Sequence, residues 1–101
     1  MRRAAKVDAN HAEVGDAFLR CGCSIKSVAM VPKFVDYVVA SGRVTFLVEV
    51  KDGDKPKSAQ ALTEHQQNFH SGWKGEIYIV TSADDVPAVI VKAHRDAEAA
   101  F

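Results

Sequence analysis

Residues 34–51 read FVDYVVASGRVTFLVEVK, and the way this stretch pairs with itself decides the fold. Ser41-Gly42 lies between two apolar runs and is a hairpin turn signal, so the segment reads as two antiparallel strands. With Ser41 and Gly42 as the loop, Ala40 pairs with Arg43. Side chains alternate along a strand, so Phe34, Asp36 and Val38 share a face with Thr45, Leu47, Glu49 and Lys51. Asp36 is then opposite Leu47 and diagonal to Glu49, at a backbone distance of roughly 7–8 Å. A loop one residue longer reverses the parity and separates the two acids. The other face carries Val35, Tyr37, Val39, Val44, Phe46, Val48 and Val50, a nearly wholly apolar set expected to form core. Two carboxylates and a lysine on one face make a workable site for a divalent cation and a phosphodiester. The same residues also fit a solvated strand end, where a Glu-Lys pair is worth about 0–1 kcal/mol. The flanking elements must separate these readings.

Before the hairpin, Asp8 is a candidate cap for a helix reaching Arg20, with Val14, Ala17, Phe18 and Cys21 as its buried stripe and Gly22 as its stop. Ser24 to Val31 reads as a strand ended by Pro32. After the hairpin, DGDKPKS (52–58) is a polar loop. Thr63 and Gln66 fit a capping box that opens a helix to about His70, with Phe69 and Trp73 on one face and Trp73 as a core aromatic. Residues 75–81, GEIYIVT, read as a strand. A last helix spans about Asp85 to Ala99, with Pro87 in its first turn and Val86, Val89, Ile90 and Ala93 inward. The order α-β-β-β-α-β-α predicts an α/β fold, a mixed central sheet flanked by helices.

The chain has 101 residues, about half hydrophobic and a quarter charged, which suits one domain spanning residues 1–101 with a small core. Its formal net charge is zero, so it is not a non-specific nucleic-acid coater, and contacts to DNA must come from local patches. Arg2, Arg3 and Lys6 form one patch, and Lys51, Lys55 and Lys57 another. No apolar region follows the two arginines and no run approaches membrane-spanning length, so neither a signal peptide nor a membrane partner is expected. With only Cys21 and Cys23, no disulfide framework is expected, and a reducing cytoplasm is the default. Cys21-x-Cys23 with His65 and His70 lacks the spacing of a zinc site. Asp52-Gly53-Asp54 lacks the remaining ligands of a calcium loop.

Three segments together resemble the PD-(D/E)XK nuclease superfamily and, within it, the VRR-NUC domains of the small stand-alone, phage type. They are residues 34–58, FVDYVVASGRVTFLVEVKDGDKPKS, residues 62–75, LTEHQQNFHSGWKG, and residues 77–85, IYIVTSADD. The resemblance implies a restriction-endonuclease-like αβββαβ core and assigns roles by position. Asp36 and Glu49 match the metal-binding acids, Lys51 the catalytic lysine, and the Val50 carbonyl a further ligand. Glu13 matches the acid on the first helix. Gln67, with Gln66 as rival, matches the glutamine of the later helix. The proline expected before the aspartate is Val35 here, a change that removes no ligand. The implied cofactor is Mg²⁺ or Mn²⁺, since hard oxygen ligands suit both. The implied activity is metal-dependent DNA endonuclease cleavage, selective for branched DNA such as a four-way (Holliday) junction, by a homodimer in the cytoplasm of a bacterial or phage-infected host cell. The competing expectation is a non-catalytic nuclease-fold module that binds DNA or protein.

Overall fold

The computed structural model describes residues 9–100. The expected cap at Asp8 and the cluster of Arg2, Arg3 and Lys6 lie outside the described residues. Along the chain run α1 (His11–Arg20), β1 (Ser24–Ser27), β2 (Tyr37–Ser41), β3 (Val44–Val50), α2 (Lys57–Gln60), α3 (Glu64–Gly72), β4 (Ile77–Val80), a 3-10 turn (Ala83–Asp85) and α4 (Val86–Ala99). The strands form one sheet in the order β1-β2-β3-β4. β2 is antiparallel to β1 and β3, while β4 runs parallel to β3 after the crossover through α2 and α3. This is the mixed α/β sheet that the sequence predicts.

The hairpin differs from expectation in one detail. Ala40 pairs with Thr45 and Ser41 with Val44, so the loop is Gly42-Arg43 rather than Ser41-Gly42. Gly42 has φ +60, and a tight hairpin with a positive φ at its first loop position places glycine there. The displaced turn keeps the parity, so the two faces stay as predicted. It also moves the acids closer in register: one step beyond the pair Tyr37–Val48, the positions of Asp36 and Glu49 face each other directly.

Alternation carries Tyr37, Val39, Phe46, Val48 and Val50 into the core beside Tyr78 and Val80 of β4. Val14, Ala17 and Phe18 of α1 and Val86 and Ala93 of α4 complete it, so both helices cover this face. Each fully buried Val or Phe contributes about 1.5–3 kcal/mol. α1 can lie close to the sheet because Gly15 has no side chain; a Cβ there would collide with the Tyr37 hydroxyl. α1 ends in a Schellman motif, in which the Cys23 N–H donates to Phe18 O and the Gly22 N–H to Leu19 O, with Gly22 at φ 85. That reversal sends Cys23 into the core and leaves Cys21 exposed, against the expectation of Cys21 on the buried stripe.

Three further departures shape the other face. β1 stops at Ser27 instead of Val31: the Val28 N–H still donates to Asp36 O, but the Val31 N–H then donates back to Val28 O and closes a turn. The apolar run after it is a turn, not a strand, and Met30 and Val31 are exposed. The expected polar loop ends in the one-turn helix α2, which starts after Pro56. Trp73, expected in the core, is 43% exposed as it caps α3 and packs on Phe34 and Phe69.

Candidate active site

Asp36 sits at the mouth of β2. Its backbone is already committed, with N–H to Val48 O and C=O to Val28 N. The Val50 N–H therefore bonds the Asp36 side chain, at 2.7 Å to Oδ2. This charge-assisted bond fixes the carboxylate against β3. Oδ1 faces His11 Nε2 at 3.8 Å.

Glu49 lies within β3, between β2 and β4, and is 4% exposed. Lys51 follows the end of the strand and is 7% exposed, with its N–H donating to Val80 O and its C=O accepting from Asn10 Nδ2. Buried charges of opposite sign need polar partners to offset their lost hydration. Gln66 supplies one to each. Its Oε1 accepts from Lys51 Nζ at 2.7 Å, and its Nε2 donates to Glu49 Oε2 at 3.0 Å. The same Oε1 accepts from the Thr63 N–H, and Thr63 Oγ1 accepts from the Gln66 N–H, which closes the predicted capping box. Two donors facing Oε1 and one acceptor facing Nε2 fix the orientation of the amide. The residue that opens α3 is thus also the bridge between Lys51 and Glu49.

Asp36, Glu49, Val50, Lys51 and Gln66 all line one cleft of about 510 Å³. Lys33 lines it too and adopts φ 56, a left-handed conformation uncommon for a residue with a side chain. His65 and Thr63 form the α3 side.

The structure brings together Asp36, Glu49, Val50 and Lys51 and separates two other expected residues from them. Glu13 is exposed and lines a second cleft with Asn10, Asp52, Asp54 and Asp84. Helical geometry explains this. His11 lies three and four residues before the buried Val14 and Gly15 and shares their face, while Glu13 lies two residues further round. Gln67 donates to Leu62 O, away from the cleft, and Gln66 takes the place expected of it. The sequence reading missed His11 and His70. His70 is one helical turn after Gln66, and its Nε2 stands 3.6 Å from Glu49 Oε1, so placing Gln66 in the site would have placed His70 as well. Burial, then the charge of Lys51, holds its imidazole below the ordinary histidine pKa and so neutral at neutral pH. His11 had no such local signal; only tertiary packing brings it to Asp36.

The donor chemistry fits Mg²⁺ or Mn²⁺. Two carboxylates from adjacent strands are hard oxygen ligands, and such ions are held by one or two carboxylates and keep several waters. Among the described residues, no group of three or more His, Cys, Asp and Glu stands ready to hold an ion by itself. An ion here would draw further ligands from the Val50 carbonyl, from water and from substrate. Among the described residues, no helix is long and apolar enough to cross a membrane.

No protein-family model matches the chain, and no curated protein matches it. A solved structure described as a VRR_NUC domain superposes on it with a TM-score of 0.60, covering 80% of this chain and 94% of that one at 22% identity. The chain has the VRR-NUC fold. At that identity the likeness concerns the fold alone, and the chemistry of the cleft is argued from its own residues.

Proposed function

We propose that the protein is a metal-dependent DNA endonuclease that hydrolyses phosphodiester bonds in branched DNA. The observation that carries the reading is the Gln66 bridge, which joins a buried lysine to a buried glutamate in the cleft that Asp36 also lines. Apolar residues of similar volume would serve stability as well or better, so the retained charges argue for chemistry.

Asp36, Glu49 and the Val50 carbonyl would hold a Mg²⁺ or Mn²⁺ ion, which when bound supplies polarisation of the scissile phosphate and acidifies water. The chain's own contribution is positional. Lys51 Nζ gives one donor to Gln66 and has two more to direct. One orients the attacking water, and the other meets negative charge as it grows on the phosphate. Gln66 keeps the ammonium at a fixed distance from Glu49. Val50 N–H keeps Asp36 from turning away. Lys55 and Lys57 follow Lys51 in the sequence, are exposed, and would contact the DNA backbone. A homodimer would present two such clefts to the two strands of a four-way junction.

The test incubates the protein with labelled four-way junction and with linear duplex, in Mg²⁺, Mn²⁺ or EDTA, beside Lys51→Ala. Paired cuts in the junction, lost with EDTA and with the variant, are the expected result. Cutting of linear DNA alone would keep the site and change the substrate. Tight binding without cutting of either would replace the enzyme by a non-catalytic module.

A further inference from the structure

His11 raises a question of protons. Tyr37 Oη lies 2.9 Å from His11 O and 3.0 Å from His11 Nδ1. A carbonyl only accepts, so the single phenolic proton goes to His11 O. The contact with Nδ1 is then a hydrogen bond only if Nδ1 carries the ring proton and donates to Tyr37 Oη. A phenol is protonated at neutral pH, so Tyr37 has that proton to give. Stacking of the two rings, with centroids 4.3 Å apart, holds the imidazole in place. In the neutral ring Nε2 therefore carries a lone pair. That atom is buried, has no hydrogen-bond partner, and faces Asp36 Oδ1 at 3.8 Å.

A lone pair facing a carboxylate oxygen is repulsive unless something positive lies between them. Two atoms bound to one ion lie at most about 4.2 Å apart when each bond is about 2.1 Å. The observed gap falls inside that limit and is too wide for a hydrogen bond. A histidine whose second nitrogen donates to a fixed acceptor is also how imidazole ligands are commonly oriented toward a metal. We infer that His11 Nε2 is a nitrogen ligand of the divalent ion held by Asp36, which makes the site a mixed nitrogen and oxygen centre selective for Mn²⁺ over Mg²⁺. The inference rests on the metal-dependent reading above. It gives α1 a role through His11, while Glu13 faces the second cleft. Imidazole is a poor ligand for Mg²⁺ and a good one for transition metals, so the nitrogen sets the preference.

The test uses the full chain and measures binding directly. Titration calorimetry with Mg²⁺ and with Mn²⁺ is run on the parent, His11→Ala and His11→Gln, with circular dichroism as the check on folding. The parent should bind Mn²⁺ the more tightly. Both variants should lose that preference by about tenfold or more, and Mg²⁺ affinity should change little, most clearly in His11→Gln, which offers an amide oxygen instead. Electron spin echo spectra of bound Mn²⁺ should show histidine nitrogen coupling that disappears in His11→Ala. If the variants keep the parent's Mn²⁺ and Mg²⁺ affinities, or if the nitrogen coupling persists, the inference fails while metal binding stands. If the folded parent binds neither ion, the inference and the metal-dependent reading fall together.

Discussion

Lys51 is a buried cation whose ammonium is held by an amide oxygen, with Glu49 bonded to the other end of the same amide. Such a lysine is constrained in position yet keeps donors for an incoming anion. Lys51→Ala should lower cutting by about 10²–10³-fold, the loss typical of one fixed electrostatic stabiliser. Lys51→Arg should not restore it, because a planar fork cannot occupy the place of a compact point charge. Single-turnover cleavage rates check both, and parental rates in Lys51→Ala would remove the lysine from the chemistry. The two glutamines give a sharper comparison. Gln66→Ala should slow cleavage and loosen the bond network around Glu49. Gln67→Ala removes only a donor to Leu62 O and should cut like the parent. Equal losses in the two would show that α3 acts through general stability and not through the bridge.

α3 has no fully buried residue, so its position depends on its ends and on a few side-chain contacts. Its capping box is therefore disproportionately important. Thr63→Ala removes the acceptor for the Gln66 N–H and should cost about 1 kcal/mol. It should also slow cleavage, because Gln66 Oε1 would be freed to swing with the frayed turn. Denaturant midpoints and cleavage rates measured together test this; a stability loss with unchanged cleavage would uncouple cap from site. This element was legible in the sequence down to its cap, because Thr63 and Gln66 satisfy each other locally. The faces of the hairpin were legible for a similar reason: alternation survives a displaced turn as long as parity holds. What could not be read depends on distant packing. Apolar character alone did not separate the turn after β1 from a strand. Which glutamine turned inward was decided by Lys51 and Glu49, fifteen and seventeen residues away in sequence. His11 reached Asp36 only because Gly15 lets α1 settle onto Tyr37.

The sheet that carries the cleft on one face is clamped from the other by α4. Tyr78 of β4 donates to Asp96 Oδ2 of α4 at 2.6 Å, and Lys92 approaches the same carboxylate at 3.1 Å. β4 pairs with β3 at Ile79 and Glu49, so this clamp holds the neighbour of the buried acid. The Tyr78 hydrogen bond, then Lys92, holds Asp96 below the ordinary carboxylate pKa. The sign of the linkage follows. The unfolded chain binds a proton at Asp96 near about pH 3.9, and the folded chain binds it only at lower pH. The clamp's stabilisation is thus fully present above the ordinary carboxylate value and is lost as pH falls through the folded value. Tyr78→Phe deletes the leading cause while keeping the ring against Phe46. It should be less stable than the parent at neutral pH, and the two stability curves should converge in acid. The remaining carboxylates titrate in both proteins, so the difference between the curves isolates the clamp. Denaturant midpoints of parent and variant across the acid range test this: a gap that narrows toward low pH supports the coupling. A constant gap would show that the hydroxyl acts by packing alone and that Asp96 takes no part.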